Sequence, residues 1–253
     1  MNQKKGAIVL SIDDGTIDNY RLYKLLAELS IPATFNIITE RIGRENYLTV
    51  EQLKEIHRHP RMEIASHSHS HKNEYPNIAF ANETLYAWLG IEEKQIGFAS
   101  PGSDMKRDFV VENDASLHSL GLLYVRSSEN PVPTEHQLAL AKRLEDEGAS
   151  PWIVRNVERL IYRLDNMYLP SAVVYQHTTL DELKALADLA EREQACIVVM
   201  LHRVEKMGEP HWENLWCFDY DITEAFLRYI KKKEEDGKLS LLTTRECIAL
   251  FSE

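Results

Sequence analysis

Ile8-Val9-Leu10-Ser11-Ile12-Asp13-Asp14-Gly15 is an apolar, largely β-branched run that stops in two adjacent carboxylates and a glycine. The run reads as a buried strand. Two acids at its end resist joint ionisation, because like charges that close disfavour the doubly charged state. A bound cation offsets that penalty, and His67-Ser68-His69-Ser70-His71 offers matching ligands. Asp-Gly is also a common turn signal, and one Asp caps a helix readily. Two acids after a buried run suit a division of labour better: one carboxylate on a metal, the other free as a base toward water.

Working outward, runs of this kind alternate with helical spacing. Strands are predicted at 7–13, 33–38, 62–65, 95–98, 122–125, 172–175, 196–201 and 239–242. A helix over 18–29 carries Tyr20, Leu22, Leu25, Leu26 and Leu29 at helical spacing. Capping boxes at Thr49-Val50-Glu51-Gln52 and Thr179-Leu180-Asp181-Glu182 open two more, the second running to about Glu193. Others are predicted near 79–89 and 111–120. Asp221-Ile222-Thr223-Glu224 is read as the cap of a last long helix ending at Gly237. About seven or eight βα units imply a parallel sheet in an α/β fold, in one domain over 1–253. Residues 130–170 are helix-rich, Pro-punctuated and charged, and read as an insertion or an irregular part of a barrel wall.

In such sheets the chemistry sits at the carboxyl ends of the strands. The unusual residues fall there: Asp13 and Asp14, the histidines, Ser100-Pro101-Gly102, Arg126 and His202. Two His and one Asp form a ligand set for a catalytic divalent ion. A helical turn brings His67 and His71 to one side and turns His69 away; an extended backbone puts all three on one face. His202 suits a general acid beside that site; His177 is a weaker candidate. His57, His59, His118, His136 and His211 read as surface or loop residues. A backbone N–H such as that of Gly102 suits a developing oxyanion. Arg126, closing an apolar strand, suits orientation of a carboxylate. Trp152, Trp212 and Trp216 suit stacking on a sugar, with core packing the expected role of each.

Composition narrows the partners. A hydrophobic fraction of 44% and a charged fraction of 27% fit a soluble globular protein. The net charge of -11 argues against nucleic acid, though a local basic pocket is compatible with it. No apolar stretch reaches membrane-spanning length. Met1-Asn2-Gln3-Lys4-Lys5-Gly6 runs straight into the first strand, so no signal peptide is read and a cytoplasmic location is expected. Cys196, Cys217 and Cys247 read as reduced, mostly buried thiols.

On these residues the chain resembles the polysaccharide deacetylase family with its NodB-homology domain (carbohydrate esterase family 4). The family's T-F-D-D-G motif matches Ser11-Ile12-Asp13-Asp14-Gly15, and H-[ST]-x-x-H matches His67-Ser68-His69-Ser70-His71. The third motif, R-x-P-[YF]-G-like, matches only at Ala99-Ser100-Pro101-Gly102, and the late L-H motif matches Leu201-His202. Pro32-Ala33-Thr34-Phe35 is similar to the A-T-F of the family's second strand. The third motif's arginine is Ala99 here, its aromatic residue is absent, and the D-x-x-D-W-like fourth motif has no counterpart in 130–170.

The resemblance implies a distorted (β/α)7 barrel. It implies that Asp14, His67 and His71 hold a divalent metal, usually zinc, with cobalt or another ion possible. Asp13 would be the general base and His202 the general acid. The metal and the N–H of Gly102, after Pro101, would hold the oxyanion, and Ser68 would steady the loop. Arg126 is expected to replace the lost arginine charge near Asp13. The implied reaction is metal-dependent removal of an N-acetyl or O-acetyl group from an acetylated amino sugar or oligosaccharide. Two rivals stand beside it: an allantoinase-like hydrolase of a small amide or cyclic imide, and a silent barrel that only binds carbohydrate. A homo-oligomer is compatible with either enzyme reading.

Overall fold

The computed structural model of the chain describes residues 5–129 and 131–252. Its first part runs β1 (Gly6–Ile12), α1 (Asp18–Glu28), β2 (Ala33–Ile37), α2 (Val50–Arg58), β3 (Met62–Ser66), α3 (Tyr75–Leu89) and β4 (Ile96–Ala99). There follow α4 (Arg107–Glu112), α5 (Asp114–Ser119), β5 (Leu122–Ser127), α6 (Glu135–Asp146), α7 (Pro151–Asn156), β6 (Tyr168–Pro170) and β7 (Ala172–Val173). The last part is α8 (Leu180–Glu193), β8 (Cys196–Leu201), β9 (Arg203–Glu205), β10 (Cys217–Asp219), α9 (Tyr220–Glu235), β11 (Leu239–Leu242) and α10 (Thr244–Phe251).

The strands make a parallel sheet in the order β6-β5-β4-β3-β2-β1-β8-β7. Its two ends are one stretch of chain, because only Ser171 separates β6, on β5, from β7, on β8. The sheet therefore curls into a nearly closed barrel whose last stave changes partner at Ser171: the distorted (β/α)7 barrel. Near the amino end of β1, β11 pairs with Gly6–Val9, below the point where β2 takes over at Ser11.

Strand periodicity sorts the side chains. Ile8, Leu10 and Ile12 pack with the helices in the large core. Ala7 and Val9 join Leu169, Cys196 and Val198 in a separate cluster inside the barrel, closed at the base by Cys247 and Phe251 of α10. The same inward alternation carries polar groups: Ser11 and Asp13, Thr34 and Asn36, Glu63 and His67, Tyr124 and Arg126. All of them are buried. Tyr124 fits because β4 has no side chain opposite it: a Cβ at Gly97 would lie 2.0 Å from Tyr124 Cζ.

Several expectations change. The helix expected over 111–120 is two short ones that meet at Asn113, whose φ of −108° and ψ of 15° leave the helical region. The strand expected at 172–175 instead starts at Tyr168 and ends at Val173, its continuity hidden in sequence by Pro170 and Ser171. Asp219, not Asp221, caps α9, its side chain accepting from the Ile222 N–H, and Asp221 lies in the first turn. That helix is not the last, since α10 follows β11. The small β9–β10 pair has no counterpart in the sequence reading. Both expected capping boxes form, at Thr49 and Thr179. The three cysteines are buried and none is in a disulfide. Among the described residues no helix is long and apolar enough to cross a membrane. The expectation drawn from Met1 to Lys4 lies outside the described residues.

Candidate metal centre and cleft

Asp13 and Asp14 follow β1 directly, and a left-handed turn separates their directions: Asp14 has φ 79° and Gly15 φ 72°. An L residue other than Gly enters that region at a cost of about 1–2 kcal/mol. Asp13 keeps the strand's inward direction and is buried, whereas Asp14 is turned toward the cleft. The same device shapes the histidine loop, where Ser68 has φ 64° and His71 φ 60°. The segment is thus neither helical nor extended, and the turn folds His71 back until its ring centre is 4.9 Å from that of His67. His69 points away, with Nδ1 2.9 Å from Thr39 Oγ1 and its ring against Phe80. Ser68 Oγ accepts from the Lys72 N–H at 2.8 Å, pinning the turn.

Asp14, His67 and His71 each present a donor atom, all within 4.8 Å of one another. His67 Nδ1 lies 2.8 Å from the carbonyl oxygen of Ala99, which holds that nitrogen protonated and turns Nε2 to the cleft as a bare donor. Two imidazoles and one carboxylate with open positions fit a divalent ion such as zinc. Burial pushes the basicity of His67 and His71 down, so both offer neutral, ligating nitrogen.

Asp13 is tied down from several sides. Arg126 crosses the barrel from β5 and donates to both of its carboxylate oxygens. The Asn36 amide donates to Asp13 Oδ1 at 2.8 Å. Asp13 Oδ2 lies 3.8 Å from His67 Nε2 and 3.9 Å from His202 Nε2. Burial alone would raise the Asp13 carboxyl. The Arg126 guanidinium, through its charge and the hydrogen bonds it donates, outweighs it and holds Asp13 below the usual carboxylate value. Arg126, expected from sequence to stand in for the arginine replaced by Ala99, is thus seated on Asp13. Arg126 is itself only 1% exposed.

His202 follows β8 and faces the same cleft. Its backbone carbonyl accepts from Asn19 at 2.9 Å, and Asp18 accepts the Val204 N–H at 2.8 Å. The start of α1 therefore fixes the strand end that carries His202. Its Nδ1 is buried with no hydrogen-bond partner among the described residues. The loop with Pro101 and Gly102 forms the opposite wall. Gly102 has φ 60°, the Pro101 carbonyl accepts from Asn73 at 2.9 Å, and Ser127 donates to the Ser103 carbonyl at 2.8 Å.

These groups surround a cleft of about 320 Å³. Trp216, expected in the core, is 41% exposed and lines this cleft, its ring 4.8 Å from His202 and 5.3 Å from Tyr175. Trp152 does pack on the core, donating its indole N–H to the Val173 carbonyl. His177 is exposed and does not line the cleft. Asn36, Asp18 and Asn19 escaped the sequence reading. Asn36 had a signal, as a polar residue two positions from Thr34 inside a buried strand.

Residues 1–114 match the model of the polysaccharide deacetylase family. A stretch of 65 residues is 37% identical to YxkH of Bacillus subtilis (strain 168), a protein bearing the family's name; it covers 25% of this chain and 23% of that one. The chain therefore spans less than a quarter of the length of that curated relative. Among solved structures, a family 4 acetyl xylan esterase from Clostridium thermocellum, in complex with a cobalt ion, superposes with a TM-score of 0.51 at 15% identity, covering 96% of this chain and 91% of that one. A mutant of a Bacillus anthracis family 4 pseudoenzyme, with restored enzymatic activity, gives 0.50 at 17% identity over 96% and 68%. These two likenesses show the shared barrel. The likeness to the polysaccharide deacetylase family itself rests on residues 1–114, the stretch that holds both motifs framing the candidate metal centre.

Proposed function

We propose that the cleft hydrolyses an N-acetyl or O-acetyl group on a carbohydrate, with a divalent ion, zinc before cobalt, held by Asp14, His67 and His71. The observation that carries this reading is the meeting of three ligand donors within 4.8 Å beside a second, separately held carboxylate. When bound, the ion lowers the pKa of water and polarises the acetyl carbonyl. Asp13, kept ionised by Arg126, takes the proton of the water that attacks the carbonyl carbon. His202 donates a proton to the leaving nitrogen or oxygen as its bond to that carbon breaks, giving acetate and a free amine or alcohol. The Gly102 N–H faces the oxyanion. Trp216 and Tyr175 offer an aromatic wall for a sugar ring.

The purified protein supplied with zinc is expected to carry about one ion per chain, and His71→Ala to lose it, as read by elemental analysis. On a panel of acetylated amino sugars, their oligomers, acetylated xylan and cyclic ureides, acetate release from the sugars is expected. Turnover confined to the ureides would move the reading to a small-amide hydrolase. Sugar binding with no turnover on any arm would leave a carbohydrate-binding barrel.

A further inference from the structure

Among the cations around the cleft, Arg41 stands apart. Arg126 is spent on Asp13. Arg203 is paired with Asp18 at 3.1 Å and with Glu205 at 3.5 Å. Arg41, on the short turn after β2, lines the cleft and is half-buried, yet no carboxylate among the described residues lies within 4.0 Å of it. Its neighbour Arg44 takes the nearby Glu40, at 3.2 Å. The side chain is nevertheless held in place: Nη1 donates to the Tyr47 hydroxyl at 3.2 Å, and the guanidinium sits 5.6 Å from that ring's centre. A guanidinium stays charged at every accessible pH and carries five donors in a planar fork. One donor is used here. The remaining edge matches a carboxylate or phosphate, which it binds with two parallel hydrogen bonds.

The rest of the cleft says where such a group would go. Glu129 is exposed and lines the cleft after β5, three strands round the barrel from β2. It repels an anion on that side. Asp13 and Asp14 occupy the floor. The Arg41 side is where a negative substituent is welcome, and it stands out on a chain of net charge -11.

We infer that Arg41 selects substrates in which the acetylated amino sugar carries an anionic substituent, a carboxylate or a phosphate. The inference rests on the proposed sugar-deacetylase reading and narrows it. Zinc-loaded protein is titrated with N-acetylglucosamine, N-acetylmuramic acid and N-acetylglucosamine 6-phosphate, with ligand binding followed by NMR and acetate release measured in parallel. At least one acidic sugar is expected to bind about tenfold or more tightly than the neutral one. Which of the two does so separates carboxylate from phosphate. Arg41→Gln is expected to erase that preference while leaving the neutral sugar's Kd unchanged. Arg41→Lys, which keeps the charge and loses the fork, is expected to keep part of it, and it carries the test if Arg41→Gln fails to fold.

Equal binding of all three sugars, or a preference that survives both variants, overturns the inference and leaves the deacetylase reading standing if acetate is released. An Arg41-dependent preference without acetate release upholds the anion site and counts against the deacetylase reading. Binding of none of the sugars overturns both.

Discussion

Two carboxylates are buried inside the same barrel, Asp13 at the carboxyl ends of the strands and Glu63 near the amino ends, and their charges are pushed in opposite directions. Both lose water, which favours the neutral acid. Asp13 meets the Arg126 guanidinium on both oxygens, and its pKa falls. Glu63 meets mostly neutral donors: the Tyr124 hydroxyl at 3.0 Å, the Thr34 hydroxyl at 2.9 Å and the Arg245 N–H at 2.9 Å. The Arg245 side chain stays 4.0 Å off and 49% exposed. Burial wins there, and the Glu63 pKa rises. The amino end of the barrel thus uses a carboxylate to tie β2, β3, β5 and α10 together. The carboxyl end keeps one ionised beside the Asp14, His67 and His71 group, and a buried arginine is what makes the difference.

The comparison breaks first at Asp13→Asn. If its ionised oxygen is the base, turnover is expected to fall about 10²–10⁴-fold with the metal content unchanged. Acetate release at the wild-type rate would return Asp13 to a purely structural role, like that of Glu63. Arg126→Met comes next. It leaves a buried charge without its partner and is expected to destabilise the fold by about 3–5 kcal/mol in denaturant titrations. Combining it with Asp13→Asn is expected to recover most of that loss, since both charges are then gone. If the double variant is as unstable as the sum of the singles, Arg126 acts through packing rather than through Asp13.

How much of this could be read from the chain follows from how local each signal is. The capping boxes at Thr49 and Thr179 form because both partners lie within one helical turn. Asp13, Asp14, His67, His71 and His202 were legible because polar groups at the ends of apolar strands are unusual, and a parallel sheet gathers such ends on one rim. Arg126 was found in the same way, by closing an apolar strand. Asn36 and Glu63 were not, because a polar residue alternating with apolar ones reads equally as solvent-facing. Only the closure of the barrel turns that face inward. The left-handed turns at Ser68 and His71 carry no Gly to announce them. Trp216 depends on how the loop between β9 and β10 folds over His202, and no local pattern encodes that return.

The smallest effect is the most discriminating for Glu63. A carboxyl whose folded pKa is raised above its unfolded value binds its proton more tightly in the folded state. It therefore contributes stability that is full below the unfolded pKa, near 4.5, and is lost as pH rises through the higher folded pKa. Wild-type stability should decline over that window, and Glu63→Gln should flatten the decline. The amide can keep its oxygen where Thr34 and the Arg245 N–H donate, and present its NH₂ to the Tyr124 hydroxyl, which can turn to accept. At pH 7 the variant is expected to lie within about 1 kcal/mol of wild type, on either side, because the lost charge removes a desolvation penalty as well as charge-assisted hydrogen bonds. Thermal melts across the window, with acetate release beside them, read both quantities. A Glu63→Gln protein that keeps the wild-type pH slope would mean that Glu63 is ionised throughout, compensated by Arg245 much as Asp13 is by Arg126. The contrast between the two ends of the barrel would then be one of position alone.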